Sequence, residues 1–173
     1  MIRYLQNSQI DKQNWDRCEA GSINRRVYAF SWYLDQVCTG WDALVEDDYA
    51  SVFPLTHRKK WGILYLFEPF FTQQLGIFSS KPVTENLVSD FFGRIPRKFK
   101  FIEIHLNSMN PVQLQGYEVF HRLNHEISLN ADYDRLYTAY SQNARRNLKK
   151  AGEHGIIISH DTAIAELIAL FRE

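Results

Sequence analysis

The chain is short of most features that would type it quickly. It has only two cysteines, Cys18 and Cys38, in 173 residues. They fit no metal or redox spacing and read as reduced thiols of a cytosolic protein. It has no excess of either charge, with 20 Lys+Arg against 20 Asp+Glu. General nucleic-acid affinity is therefore not indicated, and any anion site must be local. Long apolar runs are missing too: the longest, residues 61–67, is far short of a membrane span. The N-terminal stretch MIRYLQNSQIDKQNW is too polar for a signal peptide. These absences together point to a soluble, cytoplasmic protein. There is no internal repeat, no low-complexity segment and no Gly-x-Ser-x-Gly elbow.

What is present is a core. Hydrophobic residues make up 45% and aromatics 14%, with 12 Phe, 9 Tyr and 4 Trp. That is a globular composition, and the length suffices for an ordinary domain with a sizeable interior. Residues 2–5 read as a short strand and 11–18 as a turn or two of helix with Trp15 and Cys18 inward. Residues 27–38 carry Phe30, Tyr33, Leu34 and Val37 at helical spacing. A β-meander follows: a strand at 41–46, a tight turn at Asp47-Asp48, and a second strand at 49–56. A basic turn at 57–60 then leads to a third strand at 61–67, apolar on both faces and so expected to be central. Pro69 ends that ladder, and 70–79 reads as extended with a bulge or close backbone approach at Gly76. Thr84 is placed to cap a helix over 84–92. Strands are expected at 101–106 and 117–129.

Residues 133–155, YDRLYTAYSQNARRNLKKAGEHG, read as one long helix. Tyr133, Leu136, Tyr137, Tyr140, Ala144, Leu148 and Ala151 form a single stripe. Asn130 or Asp132 can cap its start, and Gly152 and Gly155 supply a stop. Arg145, Arg146, Lys149 and Lys150 form two i,i+4 rows away from the stripe, with Glu153 the single nearby acid. Two readings fit this cluster. Cations at a helix C-terminus offset the macrodipole by roughly 0.3–1 kcal/mol each. Alternatively they bind an anion such as phosphate, nucleotide or RNA backbone, or an acidic neighbouring surface. A buried strand at 156–159 and a last helix bearing Ile164, Leu167, Ile168 and Phe171, capped by Asp161 or Thr162, are expected beyond it.

The segment YSQNARRNLKKAGEHGIIIS resembles the junction of FemAB-like and related GNAT-type N-acyltransferases. There a helix carrying Arg-x-x-(Ile/Leu)-(Lys/Arg)-Lys-Ala runs through Gly into an aliphatic strand. Here the matching residues are Arg145 or Arg146, Leu148, Lys149, Lys150, Ala151, Gly155 and residues 156–158. A looser likeness covers the earlier chain, at residues 29–34, Trp41, Pro54-Leu55 and 67–71. The resemblance implies an α+β fold, with a GNAT-like mixed, mainly antiparallel sheet flanked by helices. It also implies three parts: a GNAT-like domain over 1–131, a basic junction helix over 132–155, and the start of a second GNAT-like domain over 156–173. It implies transfer of an acyl or aminoacyl group to an amine, from acyl-CoA or aminoacyl-tRNA. A small-molecule or cell-wall-precursor amine is the acceptor class, and a homo-oligomer is left open. On this view the chain is an N-terminal half, inactive alone. The alternative is a non-catalytic GNAT-like substrate-binding or scaffold domain.

A donor site of this kind needs a loop of the form (Arg/Gln)-x-x-Gly-x-(Gly/Ala) at a helix start. Residues 73–78, QQLGIF, begin correctly but end in Phe, and no helix follows until Thr84. No cofactor is therefore expected to be bound by this chain itself. Gln73 and Gln74, set between aromatics, are candidates to line a substrate groove; the plain alternative is an outward strand amide beside a bulge. His121 and His125 have Arg122 where a zinc motif needs Glu, and on a strand they would lie roughly 13 Å apart. No metal site is expected. Glu103 and His105 share a strand face and could form an acid–base couple, though a sheet-surface pair is the ordinary reading. No catalytic residue can be named from the sequence.

Overall fold

A computed structural model describes residues 1–170, so Phe171 and the end of the last helix lie outside the described residues. The chain separates into two units, Met1–Phe120 and His121–Glu173.

The first unit has an α+β fold, and its elements start where the sequence supplies local signals. β1 (Ile2–Leu5) leads through a short 3-10 turn to α1 (Lys12–Gly21). Asp11 caps α1 by accepting from the Gln13 and Asn14 N–H groups at 3.0 and 3.1 Å. The expected helix over 27–38 is divided. Residues Val27–Ala29 form a 3-10 turn, Phe30 is extended, and α2 spans Ser31–Val37. The cause is tertiary: Asp16, on α1, accepts both the N–H and the hydroxyl of Ser31 at 2.7 Å. A helix begun from outside in this way leaves no mark in its own sequence.

β2 (Asp42–Glu46), β3 (Ser51–Leu55), β4 (His57–Lys60) and β5 (Ile63–Leu66) follow. The basic residues 57–60 are thus a strand rather than a turn. The turn is one step later, at Trp61-Gly62, where both residues have positive φ of 51° and 81°. Two such residues make the hairpin turn whose twist matches its strands. Lys60 then pairs Ile63 across it. β6 (Phe78–Ser79), α3 (Glu85–Gly93) and β7 (Phe101–Ile102) complete the unit, with Thr84 capping α3 as expected.

The strands form two ladders, β1-β2-β3-β6 and β4-β5-β7, antiparallel except for the parallel β5/β7 pair. Only Thr56 separates β3 from β4. It ties to Phe67 by both its carbonyl, at 3.1 Å, and its hydroxyl, at 2.6 Å. β5 is the middle strand of its ladder, as its two apolar faces suggested.

The core lies on both sides of β2 and β3. Ala43, Val45 and Val52 pack with Trp15, Leu34 and Trp41, beneath α1 and α2. Leu44, Phe53 and Leu55 pack on the other face with Val88, Phe91 and Phe92 of α3. Strict alternation along each strand divides its side chains between the two layers.

The second unit is organised differently. The long helix expected over 133–155 is two helices, α4 (Tyr133–Ala139) and α5 (Gln142–Glu153). Tyr140 and Ser141 between them are extended, and the Ser141 hydroxyl accepts the Ala144 N–H at 3.2 Å. Serine competes well for backbone donors, so it restarts a helix rather than continuing one. Asp132 caps α4. α5 ends with Ile156 N–H bonded to Ala151 O and Gly155 N–H to Gly152 O, a Schellman closure. α6 (Ile164–Leu170) matches the expected last helix. The strands expected at 117–129 and 156–159 are not formed among the described residues. Their patterns suit a sheet, but they gain no ladder partner, and a strand without one leaves its backbone groups unmatched. No helix among the described residues is long and apolar enough to cross a membrane.

Candidate functional site

The parallel pairing of β5 with the chain after α3 does not run unbroken. It holds at Leu66↔Ile102 and resumes at the bridge Leu75↔Leu106. Between these points one segment makes a long excursion over 67–74 while the other runs nearly straight. A cleft of about 300 Å³ opens there, lined by Arg58, Phe67, Glu68, Pro69, Phe70, Phe71, Thr72 and His105.

Glu68 fills the break in the ladder. Its Oε2 accepts the His105 N–H at 3.1 Å, a donor that strand pairing would otherwise give to a carbonyl. The His105 carbonyl is used one step on, accepting from Leu75 N–H at 2.7 Å. That leaves Glu68 Oε1 shut away from solvent with no hydrogen-bond partner. The Thr72 hydroxyl, on a buried side chain in the same cleft, is likewise unpartnered. Burial pushes the Glu68 carboxyl up to about 7; the His105 N–H pulls against this, and the charge of Glu103 adds to it. A carboxyl near neutrality can take or give a proton at working pH.

The turn that carries these groups is held in a costly shape. Thr72 N–H bonds to Pro69 O at 3.1 Å, and Phe71 has φ +62°. A bulky residue in this region is uncommon and costs of order 1–3 kcal/mol. The Tyr33 hydroxyl donates to Phe71 O at 2.6 Å and secures it. Phe70 and Phe71 consequently stand in solvent, 83% and 91% exposed. Arg58, also in the lining, lies over the Phe67 ring at 4.5 Å and the Tyr65 ring at 5.3 Å, and its Nε donates to the Tyr65 hydroxyl.

The residues singled out in the sequence fall elsewhere. Arg145, Arg146, Lys149 and Lys150 are all exposed on α5, in the second unit. Arg146 donates to Asn143 at 2.8 Å, and Lys149 lies 3.8 Å from Glu153. Gln74 is buried, accepting from Arg26 Nε at 3.4 Å, and Gln73 is exposed; both follow the cleft without lining it. Glu103 and His105 lie past the end of β7, and what each touches is Glu68, His105 through its N–H and Glu103 through its charge; Glu68 carries no motif that the sequence reading picks out. Its only sequence signal is a lone acid between aromatics just ahead of a strand-breaking proline.

Gly76 makes the expected close approach, with φ +119°. A Cβ there would collide with Asn110 Oδ1, and that same oxygen accepts the Ile77 N–H at 2.6 Å. The 73–78 stretch therefore spends its open space and its amide on internal packing with Asn107, Asn110 and Asn24. It does not fit a phosphate cradle. Among the described residues no group of three or more His, Cys, Asp or Glu is placed to hold a metal ion.

Comparison with protein-family models, with curated proteins and with solved structures found no match.

Proposed function

We propose that the chain carries the amine-binding part of an N-acyltransferase of the FemAB-like, GNAT-related kind, the cleft around Glu68 being its acceptor site. Three things support this reading. The junction motif at 145–158 resembles that family. The element order β-α-α-β-β-β-β-β-α-β, a mainly antiparallel run of strands between helices, is compatible with a GNAT-like first domain. The observation that carries the proposal is the opened parallel pair, with an unpartnered carboxyl oxygen inside it.

An amine attacking an acyl carbonyl must lose a proton as the C–N bond forms. Glu68, near neutrality, accepts that proton through Oε1 and can return it to the leaving sulfur or oxygen as the donor bond breaks. Thr72 and the aromatic wall orient the amine, and positioning supplies much of the rate. The donor, acyl-CoA or aminoacyl-tRNA, is not assigned to residues of this chain, because the 73–78 stretch does not fit its phosphates. That misfit favours, as a second reading, a GNAT-like domain that binds the acceptor without catalysing transfer.

The test is transfer of a labelled acyl or aminoacyl group to amines by the product of the whole reading frame. Glu68→Gln should lower kcat/KM by about 10²–10⁴-fold, the usual scale of a general base. It should also remove the activity limb near pH 7. Unchanged turnover in that variant would sink the proton-transfer role. Amine binding without any transfer would select the second reading.

A further inference from the structure

Two chemically opposite groups line the cleft. Glu68 and Thr72 make one, with buried oxygens that lack partners. Arg58 makes the other. Its guanidinium is fixed on two rings and by the Tyr65 hydroxyl, yet among the described residues it joins no ion pair. Phe67, Phe70 and Phe71 share the lining with both groups. A cation held flat on aromatic rings keeps its outer N–H groups in a set direction, which suits forked recognition of a carboxylate or phosphate.

We infer that the acceptor is an amine that also bears an anionic group, carboxylate or phosphate, anchored by Arg58 while its amino end reaches Glu68 and Thr72. The inference rests on the acceptor-site reading above and narrows it. A neutral or purely cationic amine would use only one of the two groups. The hydrocarbon between the two charges would lie along the phenylalanines, whose exposure in the free protein this would reduce. A plain packing role for Arg58 predicts something else: its stem would cover the sheet face and its charge would not matter.

The experiment is a chemical-shift titration of the full chain with three probes: hexylamine, aminocaproate and phosphoethanolamine. Shifts are expected at Arg58, Glu68, Thr72 and His105, with one or both anionic amines binding about five- to ten-fold more tightly than hexylamine, as a partly exposed charged pair allows. Whichever of the two binds more tightly identifies the anion. Arg58→Met keeps the hydrocarbon over Phe67 and should erase that preference. Arg58→Lys should restore part of it. Equal affinity for all three probes, or a preference that survives Arg58→Met, overturns the inference and leaves the acceptor-site reading standing. No shift at the cleft with any probe overturns both the inference and the acceptor-site reading. Acyl transfer that survives Glu68→Gln fails the reaction reading alone and does not touch the binding result.

Discussion

The two units carry similar sequence patterns and reach opposite outcomes. In the first, strands alternate apolar residues and bury them: Trp41, Val45, Phe53 and Leu55 are fully shielded. In the second, residues 156–158 form an equally apolar run, yet Ile157 is 88% exposed and no strand forms. Both units have well-capped helices, because a cap needs only a neighbouring side chain. Only the first has ladders, because a ladder needs a distant partner. Local chemistry thus starts helices in both units, α2 excepted, whereas burial and strand formation depend on a second layer that only the first unit's chain brings to hand.

The largest test of this contrast is a pair of truncations followed by urea denaturation. Trp41→Ala, which removes the tilted ring contact with Trp15 at 4.8 Å and the bond to Asp35, should cost about 3–5 kcal/mol. Ile157→Ala should change stability by no more than about 0.5 kcal/mol. A comparable cost at both positions would break the comparison.

A smaller effect concerns pH and belongs to the first unit alone. Burial pushes the Glu19 carboxyl up to about 8, outweighing the hydrogen bond from Arg26 N–H and the charge of Arg26. Between its ordinary 4.5 and that value the folded state holds a proton the unfolded chain has released, so stability falls as pH rises. Glu68 adds the same sign up to about 7. Glu19→Gln should flatten the profile and gain on the parent chain between pH 5 and pH 8, by on the order of a few kcal/mol. Asp42 sets the acid side. Burial opposes its charge, but hydrogen bonds from His57, Tyr4 and Lys98 outweigh that and hold it at about 2. Its contribution is present above the ordinary 3.8 and is lost as pH falls through 2. A parallel pH profile in Glu19→Gln would contradict this account.

The smallest expected effects sharpen the picture of the second unit. Ser141→Ala removes the α5 cap and should cost about 1 kcal/mol of local helix stability, seen as faster amide exchange over residues 142–146. Neutralising Arg145 and Lys149 together should shift stability by only a few tenths of a kcal/mol, since both are exposed. A larger loss would mean that those cations hold something the isolated chain does not show.

The sequence by itself determined most helix starts, the Schellman end of α5, the Gly76 approach and the two-sided character of β5, since each depends on side chains within a few residues. It misjudged the 57–60 strand, whose four polar residues look like a turn until Trp61 and Gly62 are seen to take the positive φ angles. The tertiary structure alone decided three other features. Asp16 starts α2 from another helix, Asn107 and Asn110 fill the space beside Gly76, and Glu68 takes the N–H of His105 where the parallel ladder opens. All three rest on hydrogen bonds between residues far apart in the chain. Periodicity records which face a residue turns inward, and carries no information about which distant atom waits there.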